Sequence, residues 1–250
     1  MTSLPSSDLN ELVTLLISQS QEKEKKNKLP DMDYLYQVLD NLEFLRFGKN
    51  ILDPEGKAAQ KTYPWMAGLH KVVMGILRTK YLTPEYTDIS LEIANAASLI
   101  VGKAWFNEDK KVLPLFAGLV AVQLRLVLQD EENVDAGKVD CCASLMKSLI
   151  DMAEDDDDLD DDIAGMMGAQ IHEGLTFLIE TLLKAEAQLN PEAKRPLFLI
   201  ISFYLMTGAH AIFEREKMIY VKRCLKHIYE QAPEKEGMKE LMEEIEETLP

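Results

Sequence analysis

Three cysteines, Cys141, Cys142 and Cys224, are too few and too badly placed for a disulfide framework. The count is odd, and two adjacent thiols cannot bond each other without strain, so reduced side chains in a cytoplasmic protein are expected. Histidines are nearly as scarce. His70, His172, His210 and His227 never fall within one helical turn of each other, and no HExxH occurs. His227 follows Cys224 by three residues, but two ligands alone do not make a zinc site, and no metal or cofactor is predicted. GxSxG, Walker A and GxGxxG motifs are also missing, which removes the commonest hydrolase, nucleotide and dinucleotide signatures.

Positive charge is the next shortage. Lysine and arginine total 27 against 43 acidic residues, for a formal net charge of −16. Such a field repels phosphate backbones and anionic bilayers, so nucleic acid is excluded as a partner and basic surfaces are favoured. No basic n-region and apolar h-region follow Met1, so no secretory signal is expected. The longest uncharged stretch, Leu197 to Phe213, contains Ser202, Thr207 and His210 and only just reaches a membrane-spanning length. It reads as a buried helix, compatible with peripheral membrane contact at most and with no transmembrane segment.

Apolar residues, in contrast, make up 47% of the chain, enough for a continuous core. Their spacing is helical almost everywhere, with convincing strand alternation almost nowhere. Ser6-Ser7-Asp8 opens a helix reaching about Glu24, and Asp31 or Asp33 opens a second that carries Leu35, Val38, Leu39 and Leu42. Residues 48–56 read as a turn. A third helix is expected over about 58–80, bent near Pro64. Thr83-Pro84 starts a fourth that Gly102 ends. Further helices are expected over about 112–128, 134–152 and 163–187, from Asn190-Pro191 onward, over 214–229 and over 235–248.

About ten helices joined by short turns favour antiparallel neighbours. Five such pairs give a period of roughly 50 residues, slightly above that of HEAT and armadillo arrays. The expected fold is therefore all-α: a right-handed armadillo-like solenoid, with a globular helical bundle as the alternative. One helical domain would span 1–250. Residues 1–55 would be a loosely attached N-terminal pair, 154–162 an acidic loop, and 234–250 a polar capping helix.

Two local runs carry candidate chemistry. Residues 154–162 hold eight acidic side chains in nine, most simply a solvated loop whose Asp160–Asp162 favour a helix N-terminus. The same run satisfies DDxxD spacing through Asp157, Asp158 and Asp161. In all-α isoprenoid synthases that spacing holds magnesium against a diphosphate, and it defines the alternative enzymatic reading. The densest basic strip, with Lys222, Arg223 and Lys226 on one helix face, either receives a partner or coats a solvated face.

From Ile76 to Leu82, then Leu91, Ala94, Ala97, Gly102 and Trp105, and again over Phe116 to Leu128, the sequence resembles the C-terminal half of the neurochondrin family. The shared pattern is a small-residue helix, a glycine followed by tryptophan, and an apolar helix closing on Val122-Gln123-Leu124-Arg125-Leu126. It covers roughly 69–211, with Gly102, Trp105, Arg125 and Leu126 its most distinctive members. The resemblance implies a cytoplasmic armadillo-like protein without catalytic residues, associated with neurite outgrowth and signalling through receptor tails and kinases. The expectation is therefore a non-enzymatic adaptor that holds a peptide or helix of another protein in a groove. Arg125, Lys222, Arg223 and Lys226 are its candidate contacts. Oligomeric state is not predicted.

Overall fold

A computed structural model of the chain describes residues 6–24, 29–52, 63–129, 134–155, 159–185 and 189–250. Among the described residues there is no strand, and the chain is all-α as its periodicity requires. The α-helices among the described residues are α1 (Ser6–Glu24), α2 (Met32–Leu52), α3 (Met66–Leu77), α4 (Pro84–Val101), α5 (Ala104–Asn107), α6 (Leu113–Gln129), α7 (Ala136–Asp155), α8 (Asp161–Ala185), α9 (Pro191–Met206), α10 (Arg215–Gln231) and α11 (Met238–Thr248).

Short polar side chains set several starts. The Glu192 amide donates to Asn190 Oδ1 (3.0 Å) with Pro191 as the first residue of α9, as the Asn-Pro pair predicts. Asp31, Asp135 and Asp160 accept from the amides of Asp33, Lys138 and Asp162 in the same way, ahead of α2, α7 and α8. Thr83 lies in extended backbone before Pro84 but makes no side-chain cap. Gly102 closes α4 at φ +64°, a conformation costly for any residue with a Cβ, while its N–H donates to the Ser98 carbonyl (2.7 Å).

Some boundaries differ from the sequence expectation. α2 continues through Gly48 to Leu52, since one glycine costs a helix only about 1 kcal/mol and does not by itself end it; residues 53–56 of the expected turn lie outside the described residues. The third helix begins at Met66, with Pro64 in the turn before it, and ends at Leu77. Tyr81 takes φ +60° in the connection to α4. Residues 58–62 of that expected helix are again outside the description. The apolar stretch from Leu197 breaks at Thr207-Gly208, where Gly208 takes φ +92° and leads into a 3₁₀ turn over Ala209–Ile212.

The chain falls into two compact units, Met1–Val112 and Leu113–Pro250. In the first, α2 lies along α4, α3 packs on α4, and α1 packs on both α2 and α3. Tyr86 of α4 donates its hydroxyl to the Pro30 carbonyl (2.7 Å), fastening the start of α2. Trp105 of α5 is fully buried, its ring edge-to-face with His70 of α3 at a centroid distance of 5.0 Å.

In the second unit alternate helices make the most extensive contacts: α6 with α8, and α7 with α9, which also packs on α11. α6 and α8 run in the same direction. A Cβ on Gly118 would meet Gln170, one on Gly174 would meet Ala121, and Arg125 lies over the Phe177 ring, so contacts rise together along both helices. Parallel alternate helices imply an antiparallel α7 between them, as short connections demand.

Candidate interaction surface

α6 contains one charge, Arg125, in seventeen residues. A helix apolar all round must cover both faces to satisfy the hydrophobic effect, whereas an amphipathic one needs only a single cover. Phe116, Ala117, Val120, Ala121, Leu124 and Leu128 are buried in the unit. The opposite side carries Leu115, Leu119, Val122 and Leu126 at i, i+4, i+7 and i+11, a single straight row. Leu115, Val122 and Leu126 are 49%, 50% and 54% exposed, and Leu119 is part-exposed. Beside this row, α8 presents Met166, itself 54% exposed, and Ala169. Isolated exposed leucines are ordinary; an aligned row of apolar side chains is not.

Among the described residues one segment, Lys110–Gln129, is long and apolar enough to cross a membrane by length and composition. Its other face is core, which places the apolarity in packing between helices.

Arg125 braces this helix pair. Its Nη2 donates to the Glu173 carboxylate (2.9 Å) and to the Glu173 carbonyl (3.1 Å), and its guanidinium lies 5.4 Å from the centre of the Phe177 ring. It thus sits at the edge of the exposed row with its Nη2 engaged within the chain, while its buried Nε has no partner among the described residues.

The basic strip on α10 faces α11. Lys222 Nζ donates to the carbonyls of Glu246 (3.0 Å) and Leu249 (2.6 Å), satisfying helix-end acceptors that lack intrahelical partners. Lys226 pairs with Glu246 Oε1 at 2.8 Å. The hydrogen bond to Glu246 raises the Lys226 pKa, and the same contact lowers that of Glu246. Arg223 is exposed and lies 5.7 Å from the ring centre of Tyr220. The four expected contacts are therefore not one cluster: Arg125 belongs to the α6–α8 pair, and Lys222 and Lys226 to the seating of the last helix.

Of the DDxxD residues, Asp161 is the exposed first residue of α8, and Asp157 and Asp158 lie outside the described residues. Among the described residues no group of three or more His, Cys, Asp or Glu side chains is arranged to hold a metal. A second polar cluster joins α8 to α9, where His172 Nδ1 and the Tyr204 hydroxyl share a 2.6 Å hydrogen bond. Burial pushes the Tyr204 phenol up to about 12, so it stays un-ionised and serves as a packing contact.

The exposed row on α6 is a feature that the charged motifs of the sequence do not mark. Its signal was present: Arg125 stands alone in a stretch otherwise apolar on every side. The chain matches no protein-family model, no curated protein and no solved structure.

Proposed function

We propose that this chain is a non-enzymatic, cytoplasmic protein-binding scaffold whose helices stack as a right-handed armadillo-like array. The observation that carries the reading is the exposed apolar row Leu115–Leu119–Val122–Leu126, held on a helix whose opposite face is core. Contacts between alternate helices, α6 with α8 and α7 with α9, support the array, because stacked helix pairs bring every second helix into one layer. Such layers present side chains along a continuous face, the geometry used to hold an extended peptide or a helix.

The likeness to the neurochondrin family adds to this. Trp105 is buried behind the Gly102 turn, Arg125 braces α6 on α8, and Leu126 stands in the exposed row. A regulator of signalling that works by equilibrium binding needs no more chemistry than this.

The test is capture from cytosol by the full chain and by a Val122→Gln/Leu126→Gln variant. Glutamine suits a helix and both positions are half-exposed, so stability should change by no more than about 0.5 kcal/mol per site. A saturable partner held by the wild type and lost by the variant supports the reading; equal capture overturns it. Thermal unfolding with magnesium and inorganic diphosphate tests the enzymatic alternative. Ligand at about a hundred times its dissociation constant adds about 2.7 kcal/mol, a rise of about 5 to 11 °C for a chain of this size. Such a rise, not seen with magnesium alone, would replace the scaffold with a diphosphate-binding enzyme.

A further inference from the structure

The charges around the α6 row select its occupant. Along α8 the exposed positions in line with Met166 and Ala169 are Asp162, Glu173 and Glu180, with Asp160 and Asp161 exposed at the helix start. Glu173 is paired with Arg125, and Glu180 with Lys217 at 3.5 Å. The aspartates at the start of α8 add exposed negative charge near Met166. In sequence, α6 is followed at once by Asp130-Glu131-Glu132. Lys110 and Lys111 precede it and are the nearest cations along the chain. The apolar row is thus bordered by carboxylates along α8, in a chain of net charge −16.

Shape narrows the choice further. Four apolar side chains at i, i+4, i+7 and i+11 span about 17 Å, three turns of helix, and match the anchor spacing of an amphipathic helix. Two copies of this chain would bring like charges together, and one row of half-exposed side chains falls short of the ~800 Å² per partner of a standard stable interface. An anionic bilayer meets the same repulsion.

We propose that Leu115, Leu119, Val122 and Leu126 of α6, with Met166 and Ala169 of α8, dock the apolar face of a basic amphipathic helix from another protein. The inference rests on the scaffold reading and names the chemistry of its partner. Leucines of the incoming helix cover the row, and its flanking lysines or arginines lie over Asp161, Asp162 and the α8 carboxylates. Desolvated apolar contact supplies the affinity, while the charges choose the partner and speed its approach.

Two labelled fifteen-residue helical peptides test this on the full chain by fluorescence anisotropy. Both carry leucine at four positions spaced i, i+4, i+7 and i+11; one is otherwise lysine-rich, and its twin has glutamate in place of lysine. The lysine peptide should saturate below roughly 100 µM, and the glutamate twin should bind at least about tenfold more weakly. Val122→Gln/Leu126→Gln should weaken the lysine peptide about tenfold or more. Asp161→Asn/Asp162→Asn should weaken it roughly fivefold, an effect that fades in high salt.

Equal binding of the two peptides, or indifference to the α6 substitutions, overturns the proposal. So does a Val122-dependent dimer in sedimentation equilibrium, or Val122-dependent binding to phosphatidylcholine vesicles. If the lysine peptide fails while cytosolic capture still depends on Val122 and Leu126, the partner chemistry is wrong and the scaffold stands. If capture is also indifferent, both fall.

Discussion

Gly174 shows how one missing side chain sets the distance between two helices. A Cβ there would sit 2.8 Å from Ala121 Cβ and 3.5 Å from its Cα, neither of which can swing away. Gly168, six residues earlier on α8, has nothing within 4 Å. Alanine is worth about 1 kcal/mol over glycine inside a helix, whereas overpacking costs about 1 to 3 kcal/mol. Gly168→Ala should therefore raise stability by about 0.5 to 1 kcal/mol, and Gly174→Ala should lower it by about 1 to 2 kcal/mol. Urea unfolding of the two variants checks the pair. An equal gain in both would mean that α6 and α8 do not approach this closely.

At the scale of elements, α11 shows how a polar terminal helix is held. Met238, Met242 and Ile245 are buried, and Lys222 supplies the two hydrogen bonds at its C-terminal end. Lys222→Met keeps much of the apolar stem and removes the donor, leaving the Glu246 and Leu249 carbonyls without it. Faster amide exchange is expected at Thr248 and Leu249, with the α10 amides unchanged, as read by hydrogen-exchange mass spectrometry or NMR. The Lys226–Glu246 pair contributes across a defined pH window. Glu246, with its folded pKa below 4.5, favours folding above that value, and the contribution is lost as pH falls through the folded pKa. Lys226, with its folded pKa above 10.5, favours folding below that value and loses its part as pH rises through the folded pKa. Both groups are exposed, so salt screens the pair.

For the whole molecule, two units predict two responses, which acid should separate. Trp65 and Trp105 are the only tryptophans and both belong to the first unit, whereas helical circular dichroism reports on both units. His70 is buried against Trp105, and burial lowers its pKa below 6.5; nearby Asp109 acts in the opposite sense and Arg78 in the same sense. A depressed folded pKa means that the unfolded chain takes up the proton more readily. The contribution is thus complete above about pH 6.5 and is lost as pH falls through the lower folded value. Tryptophan emission should therefore report weakening of the first unit in mild acid, and His70→Phe should flatten that slope. An unchanged slope would assign the acid response to other groups.

The sequence by itself determined the helices. Their starts at Asn190-Pro191 and near Thr83-Pro84, the Gly102 stop and the 3.6-residue spacing of apolar side chains are local properties, decided within one or two turns. It also determined the charge that favours basic partners. Where the apolar stretch from Leu197 breaks, at the Gly208 turn, was not marked by its periodicity. Distant residues decided the fate of the charged side chains: Lys222, Lys226 and Arg125 look like one class of exposed cation in sequence, yet each meets a partner 20 to 48 residues away. The α6 row has the same origin. Periodicity marks a helix apolar on all sides, but which side remains uncovered depends on where α8 lies. Tertiary structure alone decided that, because burial belongs to pairs of helices and not to either one.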